Sequence, residues 1–291
     1  MSQKTDQELV RRLAERARRL RVSVLEMIYR AQSGHPGGSL SAAEILVTLY
    51  EHELRVDPKN PRWPDRDRFV LAKGHAAPAL YVELAERGFF LKSELERFRQ
   101  IDSILQGHPD MKKTPGVDMS TGSLGQGLSV GIGMALAARL DQKDYHVWAL
   151  LGDGELDEGQ VWEAAAYASF HKLTNITAIV DLNHVQLDGS TREVLAMDPV
   201  AEKWRAFGWR VIECDGHSVE ELLGSYAAAK GEKSGPTVIL ARTVKGKGVS
   251  FMENNAAWHG AAPTEEQFQQ AMVELKQSAA AEQTTKPGRD N

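Results

Sequence analysis

The stretch LLGDGELDEGQ, Leu150 to Gln160, decides how this chain is read. Two apolar residues lead in, four acids stand between Asp153 and Glu158 among glycines, and a helical pattern leads out. A solvated surface turn, a calcium loop and a strand end presenting a carboxylate all begin this way. The calcium reading fails on register. An EF-hand starting at Asp153 needs Gly at its sixth position and Glu at its twelfth, where Glu158 and Ala164 stand. The triplet Gly152-Asp153-Gly154 alone does not separate the other two readings.

Its surroundings do. YHVWALLG reads as a strand, GQVWEAAAYASFHKL as a helix and ITAIVDLN as a strand. WRVIECDG is a further strand, a helix follows near 218–230, and PTVILART is a strand again. Short, nearly continuous apolar strands between helices predict an α/β fold, a parallel sheet covered by helices on both faces. Upstream, the apolar positions Leu9, Leu13, Leu20, Leu25 and Ile28 predict an amphipathic first helix with a solvated basic face. SGHPGGSL reads as a turn before a helix near 41–53. DRFVLAKGH reads as a short strand with a helix after it, and STGSLGQGLSVGIGMALAARL as a glycine loop that becomes a helix. No period of 20 to 50 residues repeats. One domain over residues 1–276 is expected, and the polar tail 277–291, without periodicity, reads as disordered.

Bulk properties narrow the function classes. A net charge of −5 over 291 residues gives no reason to expect nucleic acid or an anionic membrane as partner. No apolar run approaches the roughly 20 residues that span a bilayer, and no signal-peptide core stands at the N-terminus. A single cysteine, Cys214, excludes an intramolecular disulfide and argues against a thiolate metal cage. The cytoplasm is the expected location.

In open α/β sheets, ligands bind beyond the carboxyl ends of the strands. Asp153 lies just past one predicted strand and Asn183 just past the next, so the two are expected to be neighbours offering hard oxygen ligands to Mg²⁺ or Ca²⁺. Asn183 is what favours the strand-end reading of the opening stretch. Other phosphate motifs fail: a P-loop ending at Gly246-Lys247 needs Gly where Ala241 stands, and the Rossmann spacing in GQGLSVG needs Gly where Val130 stands. The glycine loop still offers backbone N–H groups and a positive helix end to an anion. Close helix packing at Gly127, Gly131 and Gly133 is the compatible alternative.

Gly-Asp-Gly, then 28 residues, then Asn183 resembles the thiamine-diphosphate motif. SGHPGGSLS, DRFVLAKGHAAPALY, the Gly-His-Pro at 107–109, STGSLGQGLSVGIGMA, LGDGELDEG and WHGAAP fall in the order seen in transketolases, from about residue 20 to 264. The chain resembles the N-terminal half of a transketolase, the thiamine-diphosphate-binding fold that holds the cofactor's diphosphate. It stops where a full-length enzyme continues into its pyrimidine-binding domain.

The resemblance implies roles. Asp153, Asn183 and the Val185 carbonyl would hold Mg²⁺, for which Ca²⁺ or Mn²⁺ substitutes, and Gly154 would meet the diphosphate through its backbone. The Gly122-Ser123-Leu124 turn would contact the thiamine, although family members often carry Pro where Ser123 stands. His75 and His259 would touch the cofactor, while His35 and His108 contact the sugar. From the residues alone, each of these four histidines reads first as a capped or solvated loop residue. Imidazoles there would bind sugar hydroxyls and move protons near neutral pH. Glu158 resembles the family's carboxylate linking two active sites across the dimer; as a plain helix N-terminal acid it is also accounted for by the dipole. The implied reaction moves a two-carbon ketol unit between sugar phosphates, the cofactor stabilising the carbanion. The glutamate that activates the cofactor belongs to the missing half. The chain alone is therefore expected to be inactive, and a C-terminal subunit to complete it in an α2β2 heterotetramer. The alternatives are the thiamine-binding α subunit of a 2-oxo-acid dehydrogenase, a non-catalytic half-subunit, and a transketolase-like subunit for sulfosugars or branched sugars.

Overall fold

The computed structural model describes residues 6–284. Asp6 caps the first helix by accepting the Glu8 N–H at 2.9 Å. That helix, α1, runs Gln7–Ala31 and buries Leu13, Leu20, Leu25 and Ile28, the predicted stripe. Its basic face is not wholly solvated, contrary to expectation. Arg21 turns inward to a two-pronged pair with Glu44 at 2.6 and 2.5 Å, and Arg16 reaches Glu51 and Glu86. A helical stripe shows which side is apolar, but not which long side chains find buried acids.

The predicted turn SGHPGGSL is partly helix. Pro36, pre-set for a first helical turn, opens α2 (Pro36–Ser41), and α3 (Ala43–Thr48) follows, widening into a π turn over Leu49–Glu53. The chain continues through β1 (Arg68–Leu71), α4 (Ala77–Arg87), α5 (Gln126–Leu140), β2 (Val147–Gly152), α6 (Gly159–Phe170) and β3 (Ile176–Leu182). Two short helices that the strand pattern did not announce come next, α7 (Thr191–Val194), opened by a Ser190–Glu193 capping box, and α8 (Val200–Ala206). Then follow β4 (Arg210–Asp215), α9 (Val219–Gly231), β5 (Thr237–Arg242) and α10 (Glu265–Thr284). Of the tail expected to be disordered from 277, α10 takes in the residues up to Thr284. The good helix formers of QSAAAEQ carry α10 to Thr284 without an apolar stripe; residues 285–291 lie outside the described residues. No described helix is long and apolar enough to cross a membrane.

All five strands are parallel, in the order β1-β2-β3-β5-β4. Alternate residues serve opposite faces. Trp148, Leu150, Ile179 and Ile239 pack with α1, α3, α4 and α9, while Ala149, Leu151, Val180 and Leu240 pack with α5, α6 and α8. The sheet is thus covered on both sides, and its strand ends are in register, Gly152 opposite Asp181 and Leu182 opposite Arg242.

The three glycines of α5 differ. A Cβ on Gly127 would sit 2.4 Å from Ala72 Cβ, one on Gly131 would make ordinary contacts, and one on Gly133 would meet nothing within 4 Å. Only Gly127 is there for close packing. Gly127→Ala should therefore cost about 1–3 kcal/mol by overpacking, whereas Gly133→Ala should gain up to about 1 kcal/mol from helix propensity. Thermal melts of the two variants should move in opposite directions.

Beneath α1, Glu83 on α4 is fully buried, and neither carboxylate oxygen has a hydrogen bond; Arg16 stands 3.7 Å away. Burial, outweighing Arg16, pushes this carboxyl up to about 8. A folded-state value above the unfolded one means that stability is full below about pH 4.5 and falls as pH rises through 8. A span of about 3.5 pH units at 1.36 kcal/mol each gives up to about 5 kcal/mol. Glu83→Gln should flatten this slope and raise stability at pH 9 while changing little at pH 4.5, as read by chemical denaturation at the two pH values.

Candidate active site

Strand ends bring the expected residues together. Asp153 follows β2 and is 6% exposed; its N–H donates to the Asp181 carbonyl at 3.3 Å. Its carboxylate accepts the Gly154 N–H at 2.8 Å and the N–H of His184 beyond β3. Asn183 is buried beside it, its Oδ1 accepting the Val185 N–H at 3.1 Å. Asp153, Gly154, Asn183, Val185, Leu124, His75 and His259 all line one cavity. Burial and the Asp181 charge push Asp153 up to about 6. It is a buried acid with no cation paired to it among the described residues.

Two lysines that sequence reading did not single out form the opposite wall. Lys73, just past β1, is 1% exposed; it pairs with Asp181 and donates to the Gly38 carbonyl at 2.9 Å. Asp181 also accepts from Ser41 Oγ at 2.5 Å and from the Thr243 hydroxyl. Burial raises Asp181, but the Lys73 charge and these donors outweigh it and hold the carboxyl below its ordinary value. Lys245, past β5, is 3% exposed and has no carboxylate partner among the described residues. Its ammonium donates at 2.9 Å to both the Val185 carbonyl and His259 Nδ1. Burial and Lys73 bring it down to about 8, still cationic at neutral pH. A lysine in AKGH or VKGK reads as surface from sequence. An acid inside the apolar strand IVDL was the one available signal.

The glycine loop differs from expectation. The Gly125 N–H, at the start of α5, donates to Glu155 Oε1 at 2.9 Å, while the other Glu155 oxygen accepts the Gly152 N–H at 3.2 Å. The anion that meets this helix end is the protein's own. Burial pushes Glu155 up to about 7. Of the turn 122–124, only Leu124 lines the cavity. Ser123 is exposed, and Gly122 is wedged where a Cβ would lie 3.0 Å from His108. Glu158 stands exposed at the start of α6, without an ion pair among the described residues.

The four histidines meet. Ring centroids lie 5.5 Å apart for His35–His75 and for His35–His259, 4.8 Å for His75–His259 and 6.1 Å for His35–His108. Of the four, only His75 and His259 line the cavity; His35 touches both rings, and His108, beside His35, is exposed to solvent. Burial, then Arg99, His108 and Lys245, bring His35 down to about 4. Burial and Lys245 bring His259 to about 3, and burial with Lys73 holds His75 well below its ordinary value. His108 is lowered by burial and Arg99. In the protein by itself these rings are neutral at pH 7, so the expected titration near neutrality is displaced to lower pH by burial and the cations around them. No group of three His, Cys, Asp or Glu side chains among the described residues forms a metal site. The candidate donors are one carboxylate, one amide oxygen and one main-chain carbonyl, all oxygen, which suits a hard cation.

Comparison with known proteins agrees with this geometry. The family model for the transketolase thiamine diphosphate binding domain matches residues 12–282. A 6-deoxy-6-sulfo-D-fructose transketolase subunit from a Clostridium species is 44% identical, covering 92% of this chain and 98% of its own length. An apulose-4-phosphate transketolase subunit from Phocaeicola vulgatus is 42% identical, covering 88% and 91%. Human transketolase is 46% identical over 88% of this chain but 41% of its own length. The crystal structure of Campylobacter jejuni transketolase superposes with a TM-score of 0.87 at 36% identity, over 92% of this chain and 43% of that one. The chain thus spans about two fifths of these full-length enzymes and nearly all of the separate subunits. It belongs to the transketolase family, as the thiamine-diphosphate-binding domain.

Proposed function

We propose that this chain is the N-terminal subunit of a two-subunit transketolase, which moves a two-carbon ketol unit from a ketose phosphate to an aldose phosphate. One observation carries the reading: a buried carboxylate without a cation, Asp153, and a buried ammonium without a carboxylate, Lys245, face one cavity. A divalent cation held together with a diphosphate would satisfy both at once.

In this reading Asp153, Asn183 and the Val185 carbonyl hold Mg²⁺, with Ca²⁺ or Mn²⁺ as substitutes. The Val185 carbonyl keeps one lone pair beside its bond to Lys245. Gly154 would meet the diphosphate through its backbone; Gln186 packs where a Cβ would stand, 2.8 Å from Gln186 Cβ, and only glycine fits there. Lys245 and Lys73 balance the phosphate charge. Thiamine diphosphate, when bound, supplies the centre that stabilises the carbanion. His75 and His259 border the cofactor, His35 and His108 contact sugar oxygens, and the turn Gly122-Ser123-Leu124 flanks the thiamine. Glu158, exposed beside Gly125, faces the second half of the site.

That second half comes from a separate C-terminal polypeptide, in an α2β2 heterotetramer. Relatives of this chain's own length are named as subunits, which supports the division. Their names specify a sulfosugar and a sugar phosphate, and an acidic sugar of this kind is the substrate class we assign. Such charged metabolites do not cross membranes unaided, so we assign the enzyme to the cytoplasm.

The purified chain alone should show no ketol transfer from xylulose 5-phosphate and should gain it when the C-terminal partner is added; robust turnover by the chain alone would overturn the division of labour. Asp153→Asn keeps one oxygen to accept the Gly154 N–H but sets an amide NH₂ against the His184 N–H, so circular dichroism of the variant checks that the fold is kept. The substitution should weaken Mg²⁺-dependent thiamine diphosphate binding by about 100-fold or more, close to 3 kcal/mol. Titration calorimetry with the partner present measures this, and an unchanged affinity would remove Asp153 from the metal site.

A further inference from the structure

Arg99 is a cation that the mechanism above does not use. It lies in a loop with a left-handed backbone, φ 61°, and its side-chain hydrogen-bond partners among the described residues are Ser33 and His35, with no carboxylate among them. Its guanidinium runs between the two Gly-His-Pro segments. On one side Nη1 donates to Ser33 Oγ at 2.6 Å and Nη2 stands 3.3 Å from His35 Nδ1. On the other, its Nε is buried without a partner against Gly107, where a Cβ would come within 3.0 Å of it. Tyr81 anchors the second segment by donating to the carbonyls of Gln106 and His108 at 2.9 and 3.0 Å.

A guanidinium has N–H donors and no acceptor, and it does not lose its proton in a protein. Its contact with His35 Nδ1 therefore requires that nitrogen to be the acceptor, and in a neutral imidazole the proton then sits on Nε2. The Cδ2–Nε2 edge of the ring points toward Gly260, beside His259 and into the histidine cluster. We propose that Arg99 is a positioning residue that locks His35 as the Nε2–H tautomer, so that His35 presents a fixed hydrogen-bond donor, and not a base, to the cluster. To take up a second proton His35 would have to turn an Nδ1–H against the guanidinium. It therefore donates to an oxygen and accepts no proton from a hydroxyl. That this oxygen belongs to a sugar rests on the transketolase reading; the tautomer does not.

The test is read on the full chain without cofactor, substrate or partner, so its outcome is independent of whether the chain serves a transketolase. In ring-¹⁵N,¹³C-histidine-labelled protein, the signals lost in His35→Gln identify His35. The wild type should show the Nε2–H pattern from pH 6 to 8. Arg99→Met should convert it to a mixture of tautomers. His35 should then titrate about one pH unit higher, with His75, His108, His259 and Lys245 still facing it. Arg99→Lys, which restores a charged donor, should keep the Nε2–H form. A wild-type His35 protonated on Nδ1, or a tautomer unchanged in Arg99→Met, would overturn the proposal. Should the Met variant not fold, the wild-type spectrum and the Lys variant decide it alone.

Discussion

A lysine ammonium and a carboxylate, both almost wholly out of water, hold the working end of this protein together. Lys73 and Asp181 join the ends of β1 and β3. The same carboxylate takes the Ser41 hydroxyl from α2 and the Thr243 hydroxyl beyond β5, and the same ammonium takes the Gly38 carbonyl. Removing one member of such a pair strands its partner, at about 3–5 kcal/mol. More consequentially, four chain segments would lose their common anchor, and Asp153 and Asn183 are placed only as well as the strand ends that carry them.

The site around this anchor is electrostatically unfinished. Acids and cations share its wall, yet Asp153 and Lys245 have no opposite charge of their own among the described residues. Such groups are costly in a cofactor-free fold, and binding recovers that cost. The cations also help explain why the histidines are neutral. Lys73, Lys245 and Arg99 add to burial in holding them uncharged, and a neutral imidazole offers one donor and one acceptor at fixed atoms. Four such rings within 4.8 to 6.1 Å of their neighbours form a surface of directed hydrogen bonds more than a proton reservoir.

Much of this was legible beforehand, and the reasons are specific. The strands that carry Asp153 and Asn183 announce themselves as short apolar runs, because a parallel sheet buried on both faces needs them. Their parallel pairing makes the two strand ends neighbours, so one carboxylate and one amide oxygen could be assigned to a common edge. The gathering of His35, His75, His108 and His259, in contrast, came only through resemblance; nothing in their spacing relates residues 35 and 259. Lys73 and Lys245 escaped notice because a lysine's charge says solvent until a tertiary structure says otherwise. Glu155 escaped because four acids in one stretch look alike, although one is buried against Gly125 and another is exposed.

The sequence by itself determined the layering of the sheet, the strand ends that carry Asp153 and Asn183 and the order of the family's motifs, since periodicity and motif order are local properties of the chain. Only the tertiary structure decided which charges are buried, which of them are paired and which nitrogen of His35 accepts a hydrogen bond. Those depend on distances between segments far apart in sequence, where the energy of a charge is set by what surrounds it and not by what precedes it.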